Sequence, residues 1–424
     1  MAANIYSDYA EQGDWDFRGS DTKQYTHCFH IYPAMMIPQI ARELIERFGK
    51  EGGLLFDPYS GTGTSLVEAR VAGMNAIGTD INPTARMIAN SKTFDYDIEI
   101  LKKCVSKFLF DIEENLHLAI DYSNFTEPEY VKWERLEDWF PTRSIAEISY
   151  ALDSIETLKY DAGKMFLRIA LSECLRLVSY QRNGEFKLYR MKAEKREEFY
   201  EALLPKIKAR IQRNLDGLIQ YQGVISSETK VEIFNFNTVN TTGNKYFASE
   251  IDLVVTSPPY GDSGTTVAYA QFSWLSNVWL GLDSKAPGAL DRELMGGRKH
   301  IIEEFGFKPM DSALELISSV DVKRASEVMH FYHEYLLSMK NIATRIKSGG
   351  HVCFVVGNRT VKGTQLPTDQ FTAWAFEQEG FDYVKTYVRD IPNKRMPSKN
   401  SPTNKSGVTN STMVHEYIVV CRKN

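Results

Sequence analysis

The apolar residues of this chain alternate between two spacings, and that alternation narrows the folds open to it. Short β-branched and aromatic runs occur at Leu54–Tyr59, Asn75–Ile81, Val231–Phe236, Ile251–Pro258, His351–Val356, Tyr383–Ile391 and Met413–Cys421. Between them, apolar positions recur every three to four residues, as in Ile37–Phe48, Ser65–Val71, Met329–Ile346 and Thr372–Gln378. Strand-period runs interleaved with helix-period runs imply an α/β sheet, mostly parallel, because parallel neighbours need a crossover helix. The last two runs flank the polar segment Pro392–Thr412, which has no room for a long helix. They are expected as an antiparallel pair, within a sheet of about seven strands.

The interleaving is interrupted twice. Residues 93–229 read as mostly helical, with periodic stretches at Ile98–Leu118 and Ile145–Val178. Residues 283–325 are charge-rich and carry Gly296-Gly297. The expected organisation is one catalytic domain built from segments 1–92, 230–282 and 326–424. Residues 93–229 are then a large helical insert, and 283–325 a small one.

Composition excludes several classes. With 43% hydrophobic and 25% charged residues in 424, the chain can bury a large core and is not wholly disordered. No apolar run approaches the roughly 20 residues that span a bilayer. The acidic start, through Phe17, lacks the apolar segment of a signal peptide. Cys28, Cys104, Cys174, Cys353 and Cys421 have no metal-clip spacing, so a reducing cytoplasm is the expected location. Histidines such as His300, His333 and His415 show no ligand spacing either, and no metal is expected. The net charge of −5 argues against a protein coated in positive charge, but leaves room for a local basic groove.

Two turns carry the chemistry. In Asp57-Pro58-Tyr59-Ser60-Gly61-Thr62-Gly63-Thr64 a strand runs through Gly-x-Gly into a helix. Glycines allow a tight turn and close approach of a ligand, and a helix start offers free N–H groups. The third glycine of the dinucleotide fingerprint is replaced by Leu66, and no Gly-Lys-Ser/Thr follows, so a phosphate-cradling loop is excluded. Asp80, 17 residues after Gly63, ends the next strand in Gly78-Thr79-Asp80-Ile81-Asn82, where a carboxylate suits ribose hydroxyls. Asp57 is placed to hold a cationic amino group. S-adenosylmethionine offers these parts, a ribose and an amino acid without phosphate. The plain alternative is a strand-to-helix turn with no ligand.

The second turn is Ser257-Pro258-Pro259-Tyr260, which ends the apolar run Asp252–Thr256. Two prolines stop a strand and leave a stiff backbone with unpaired carbonyls. Ser257 and the Pro258 carbonyl suit the protons of an exocyclic amine, and Tyr260 can stack on a planar ring. An aromatic amine is a poor nucleophile because its lone pair is delocalised. Hydrogen bonds favouring a tetrahedral nitrogen, with alignment to a methyl sulfonium, restore it. A rigid turn after a buried strand is the plain alternative here.

On these two motifs the chain resembles the amino-methyltransferases of DNA. The likeness implies a Rossmann-like methyltransferase sheet, S-adenosylmethionine as cofactor and transfer to an exocyclic base nitrogen. The serine form of the catalytic motif implies cytosine N4; adenine-N6 enzymes usually carry Asp or Asn there. Asp57, Pro58, Ser60, Gly61, Gly63, Thr64, Asp80 and Ile81 are the implied cofactor residues. Tyr32 joins them through His30–Met36, which fits the family's extra cofactor-side motif. Ser257, Pro258, Pro259 and Tyr260 are the implied catalytic residues. The resemblance also implies target recognition within 93–229 or 283–325, base flipping of duplex DNA, and a bacterial or phage modification system with a possible partner endonuclease. Cytosine-C5 chemistry is excluded, since it needs a Pro-Cys nucleophile and no cysteine here follows a proline. Adenine-N6 methylation, RNA base methylation and a non-catalytic binding protein remain as alternatives.

Two basic segments suit phosphates. Residues 176–196 carry seven basic and two acidic residues, with Arg176, Arg182, Lys187, Arg190 and Lys192 around Tyr180 and Tyr189 and a turn at Asn183-Gly184. Lys385–Lys405 holds six basic residues, with Lys394 and Arg395 between the last two strands. Each has a plain alternative, a solvated helix surface and a polar hairpin loop. Phe272, Trp274, Leu275 and Trp279 read as core. Asp262, Ser263, Tyr269 and Gln271 are polar enough to line a base pocket.

Overall fold

The computed structural model describes residues 9–10, 15–119, 136–182, 186–240, 250–262, 267–283, 287–296, 304–391, 399–400, 410–411 and 415–424. Its centre is a sheet of β1 (Tyr9–Ala10), β2 (Leu54–Asp57), β3 (Asn75–Thr79), β4 (Val231–Phe234), β5 (Ile251–Thr256), β6 (Ile346–Val356), β9 (Phe381–Asp390) and β12 (His415–Lys423). Four two-residue strands, β7 (Thr360–Val361), β8 (Thr364–Gln365), β10 (Lys399–Asn400) and β11 (Asn410–Ser411), form two small hairpins. The central order is β1-β9-β12-β6-β5-β2-β3-β4. All seven expected strands form, each within a few residues of its sequence run. The edge strand β1 is an addition, too short to leave a periodic signal. β12 runs antiparallel to both β6 and β9, giving the expected final antiparallel pair.

Side chains alternate across the sheet because successive Cβ atoms point to opposite faces. Leu55, Leu253, Val255, Cys353 and Val355 pack against α1 (Pro38–Phe48) and α2 (Thr64–Val71). Phe56, Val254, Val352, Phe354 and Val356 face the other way, toward a second core. That core includes α11 (Lys308–Val320), α12 (Val322–Ala343) and α13 (Thr368–Glu377). With both faces covered, the central strands β2 and β5 and the second half of β6 have no solvent-facing side, which is why their runs read as nearly continuous apolar stretches. Gly78 lies inside β3 because a Cβ there would fall 2.6 Å from Leu66 Cδ1.

Segment 93–229 contributes α4 (Ile98–Ala119), α5 (Thr142–Glu156), α6 (Asp161–Leu175), the single turn α7 (Ala193–Arg196) and α8 (Leu203–Gln222). Of these, α4, α5, α6 and α8 share one apolar core with α3 (Pro83–Thr93) and α9 (Tyr269–Trp279), through Phe108, Ile148, Phe166, Ile207, Ile88, Leu275 and Trp279. The long stretch expected at Ile145–Val178 is two helices. Tyr160 adopts an extended backbone (φ −100°, ψ 106°), and Asp161 opens α6. Segment 283–325 holds α10 (Pro287–Glu293) and α11.

No described helix is long and apolar enough to cross a membrane. All five cysteines are free thiols.

One buried ion cluster locks α2 to the preceding segment. Glu68, on α2, accepts from His27 Nε2 at 2.8 Å and from Arg42 Nε at 2.8 Å, and is 1% exposed. Removing Glu68 takes away the acceptor shared by His27 and Arg42, although Arg42 is partly exposed and can turn to water while burial holds His27 toward its neutral form. Glu68→Ala should therefore lose about 1–3 kcal/mol of stability in urea unfolding; a loss near zero would show that the cluster does not anchor α2.

Candidate active site

The strand order places one crevice at the carboxyl end of the sheet. From β2 the chain winds to β3 and β4 on one side, while β5 and β6 lie on the other. Open α/β sheets bind ligands where the winding reverses. Here that point lies between the turns after β2 and β5, the two turns that carry the sequence motifs.

The first turn is held against β3. The Ser60 N–H and Oγ both donate to the Thr79 carbonyl, at 3.0 and 3.2 Å. Thr79 Oγ1 donates to the Pro58 carbonyl at 2.9 Å. Gly61 and Gly63 have φ of +48° and +78°, in the left-handed region. They differ in purpose. A Cβ on Gly63 would sit 3.0 Å from Ala89 Cβ, so this glycine lets α2 approach α3. A Cβ on Gly61 would meet nothing within 4 Å, so this glycine keeps the crevice wall bare.

Asp80 lies beside Gly61. Its Oδ2 accepts from the Gly61 N–H at 3.1 Å, and its Oδ1 accepts from the Asn82 N–H at 2.7 Å. Burial pushes its carboxyl up to about 6, against the pull of those hydrogen bonds. Asp57 is 3% exposed. It accepts from Thr256 Oγ1 at 2.6 Å, from the Tyr59 N–H at 3.1 Å and from Ser65 Oγ. Burial raises it to about 6 as well. A carboxylate has about four lone-pair directions, so capacity for an amino group remains.

The crevice is lined by Tyr32–Met36, by Phe236–Thr238 with Leu294 and Met295, and by Ser257, Pro259, Gly261 and Tyr269, together with residues of the glycine turn. It contains about 1070 Å³ of empty space, open solvent included. No lysine or arginine is among the described residues lining it. That suits a cofactor with no phosphate. Ile81 and Phe236 offer apolar surface for a purine, Asp80 an acceptor for ribose hydroxyls, and Asp57 a counter-charge for an ammonium group.

Ser257 and Pro259 line the crevice directly, Pro258 is buried, and Tyr260 is half-buried. Ser257 Oγ donates to the Tyr260 hydroxyl at 3.3 Å, and that hydroxyl donates to Glu416 Oε1 at 2.9 Å. Tyr32 stacks on Tyr269, with centroids 5.9 Å apart and an interplanar angle of 22°. Its hydroxyl accepts from Asn82 Nδ2 at 2.8 Å, and the same amide donates to Ser273 Oγ at 2.8 Å. Asn82 thus joins the Tyr32 segment, the start of α3 and α9. Of the other residues expected near a base pocket, Asp262 pairs with Arg324 at 3.0 Å and Gln271 Oε1 accepts from the Leu188 N–H at 3.3 Å; Ser263 lies outside the described residues. Phe272, Leu275 and Trp279 are buried, and Trp274 is half-buried.

Sequence reasoning missed Asn82, Phe236, Asn237, Met295 and Glu416. Asn82 could have been found, since Asn before Pro83 is a helix-start signal. Phe236 and Asn237 reach the crevice because β4 pairs with β3 in a register that puts the Phe234 carbonyl 3.2 Å from the Asp80 N–H.

The basic residues are scattered in environment. Arg182 and Lys192 are exposed, Lys187 is half-buried, and Arg190 pairs with Asp138 at 3.4 Å. Arg176 is half-buried with its guanidinium 4.3 Å over the Phe272 ring, and burial lowers it to about 10. The Gln181–Arg190 bridge makes the flanks of this segment antiparallel. It leans on α9 through the Leu188–Gln271 hydrogen bond and the Phe186–Phe272 ring contact at 6.1 Å. The expected turn at Asn183-Gly184, and both Lys394 and Arg395, lie outside the described residues. Among the described residues no group of three or more His, Cys, Asp or Glu is placed to hold a metal.

Residues 7–91 match the N6/N4 methyltransferase family model, described as DNA methylase. Over 423 residues the chain is 37% identical to the type II methyltransferase M.MvaI of Kocuria varians, covering 96% of this chain and 93% of that protein. The chain belongs to the DNA amino-methyltransferase family. Its cofactor is S-adenosylmethionine, in keeping with the crevice. The chain is also 22% identical over 291 residues to type II methyltransferase M.BsoBI of Geobacillus stearothermophilus, covering 63% of this chain and 55% of that one. A 106-residue stretch is 34% identical to M.MjaII of Methanocaldococcus jannaschii, covering 24% of this chain and 20% of that protein.

Because Asp80 titrates near 6, cofactor binding should depend on pH. Protonation below that value removes an acceptor for the ribose. The dissociation constant should rise roughly tenfold between pH 7.5 and 5 by calorimetry; Asp80→Asn should weaken binding at pH 7.5 and reduce that rise to the part that protonation of Asp57, also raised to about 6, contributes. An affinity unchanged across the range would remove Asp80 from the cofactor site.

Proposed function

We propose that this DNA methyltransferase transfers a methyl group to the exocyclic N4 of cytosine at a specific site in duplex DNA. The observation that carries this reading is Ser257, at the motif's first position and lining the same crevice as Asp80. A neutral hydroxyl can both accept from and donate to the amine and ring edge of cytosine. The family's serine form goes with cytosine, and its Asp or Asn form with adenine N6, the second reading.

The chain's own groups divide the work. Asp80, Ile81 and Gly61 hold the nucleoside end of the cofactor, with Ser60, Gly63 and Thr64 shaping the turn and Pro58 buried beneath it. Asp57 and the Tyr32 wall serve the methionine end. When bound, the cofactor supplies an electrophilic methyl on a sulfonium. Ser257 and the Pro258 carbonyl orient the amine, Pro259 stiffens the turn, and Tyr260 stacks on a base rotated out of the duplex. A direct transfer of this kind needs no covalent enzyme intermediate. Positioning and fixed hydrogen bonds lower the barrier.

The segment around Arg182, Lys187, Arg190 and Lys192 contacts the DNA backbone, with Arg176 supporting it from beneath. Its attachment to α9 puts it near the catalytic turn. Lys394 and Arg395 are proposed as further backbone contacts. Segment 93–229 is proposed as the target-recognition insert, around a catalytic domain of 1–92, 230–282 and 326–424, with 283–325 as a small insert. A cytoplasmic modification enzyme paired with an endonuclease of the same site fits the family.

Labelled cofactor and duplex DNA, followed by digestion to nucleosides and mass analysis, should yield N4-methylcytosine. N6-methyladenine would move the assignment to the second reading, and product only with RNA would overturn the DNA substrate. Ser257→Ala should cut transfer by about 10²-fold or more with cofactor affinity intact. Full turnover in a folded Ser257→Ala variant would refute its role. Arg182→Ala with Lys192→Ala should lower DNA affinity and flatten the slope of log affinity against log salt by roughly 2; an unchanged slope would place the DNA elsewhere.

A further inference from the structure

Methyl transfer to an amine leaves a proton to be removed. As the N–C bond forms and the S–C bond breaks, the nitrogen becomes cationic, and neutral product forms only when an N–H proton leaves. Ser257 touches the crevice, but a neutral hydroxyl is too weak a base to keep that proton. Its hydroxyl, however, is the start of an ordered chain. Ser257 Oγ donates to the Tyr260 hydroxyl at 3.3 Å, and Tyr260 donates to Glu416 Oε1 at 2.9 Å. Both donors point the same way, out of the crevice and toward a carboxylate.

We propose that Ser257, Tyr260 and Glu416 form a proton relay that carries the amine's proton from the reacting nitrogen to Glu416. Ser257 Oγ accepts the proton from the nitrogen and passes its own to the Tyr260 oxygen. Tyr260 passes its own to Glu416 Oε1. Each hydroxyl ends with one proton, as it began, and the net change is one proton moved from nitrogen to carboxylate. No oxidant or second reactant is needed. This rests on the reading of Ser257 as the amine-binding residue.

The surroundings of Glu416 suit the end of such a path. It stands on β12, opposite Arg389 of β9, whose Nη1 donates to Glu416 Oε2 at 2.7 Å. One oxygen is thus fixed by a cation while the other faces Tyr260, so the receiving atom is aimed. Arg389 and Tyr260 are the charged and titratable groups bonded to Glu416 among the described residues. The Glu416 side chain is 16% exposed, so the proton has a way out to water. Glu416 is reached through Tyr260 and so acts as a positioning and proton-receiving residue, away from the reacting atoms.

Two variants separate relay from scaffold. Tyr260→Phe keeps the ring for stacking and leaves the Arg389–Glu416 pair, but removes the hydroxyl between Ser257 and Glu416. Glu416→Gln keeps an acceptor for the Tyr260 hydroxyl but is a far weaker base. Transfer is measured in single turnover with saturating S-adenosylmethionine and duplex DNA. Cofactor and DNA affinities are measured at equilibrium, with 2-aminopurine fluorescence at the target base to report its extrusion. Each variant should lower the transfer rate by about 10²-fold, with KM, both affinities and the fluorescence within twofold of the parent. The double variant should be no slower than Tyr260→Phe alone, because both break one path. A Tyr260→Phe rate equal to the parent overturns the relay, as does a fully active Glu416→Gln or a multiplicative double variant. If Glu416→Gln fails to fold because Arg389 loses its counter-charge, Tyr260→Phe carries the test alone. A parent protein that methylates no DNA base would instead overturn the function reading.

Discussion

One buried carboxylate joins the two chemical turns. Asp57 ends β2 and takes hydrogen bonds from Thr256 at the end of β5, from Ser65 at the start of α2, and from the Tyr59 backbone between them. The glycine turn and the proline turn come from chain positions some two hundred residues apart. Adjacent strands bring them side by side, and Asp57 fixes their spacing. A buried carboxylate accepting several bonds is costly to disturb, so the distance between the Gly61 wall and the Ser257 hydroxyl is set by a rigid contact.

Everything else in the site is arranged around that pair. Gly61 leaves the wall bare, and Gly63 lets α2 press on α3. Asn82 ties α3 to the Tyr32 segment and to α9, the helix that follows the proline turn. Helices α4, α5, α6 and α8 of segment 93–229 share their core with α3 and α9. A basic segment carried on those helices is therefore held in register with the crevice, since packed interiors shift as units.

Much of this was legible in the sequence. The strands announced themselves because the central ones are covered on both sheet faces and their runs are rich in aliphatic, β-branched and aromatic residues. The Gly-x-Gly turn, Asp80 and the Ser-Pro-Pro-Tyr turn could be read because each is a local backbone requirement expressed in consecutive residues. What could not be read depends on which strands become neighbours. Nothing in His415–Lys423 reveals that β12 lies between β6 and β9, so Glu416 gave no sign that it would meet Tyr260. Phe236 and Met295 reach the crevice by the same long-range placement. The break between α5 and α6 escaped because neither glycine nor proline marks residues 157–160. β1 escaped because two residues carry no period.

The central claim is spatial: the bare wall at Gly61 and the hydroxyl of Ser257 face one reaction space. A crystal structure with cognate duplex DNA and a non-reactive cofactor analogue tests it most directly. The expected result is a cytosine turned out of the helix, its N4 within hydrogen-bond reach of Ser257 Oγ and facing the analogue's sulfonium position, with Asp80 on the ribose. A target base left stacked in the duplex, or an analogue bound away from the Gly61 turn, would contradict it.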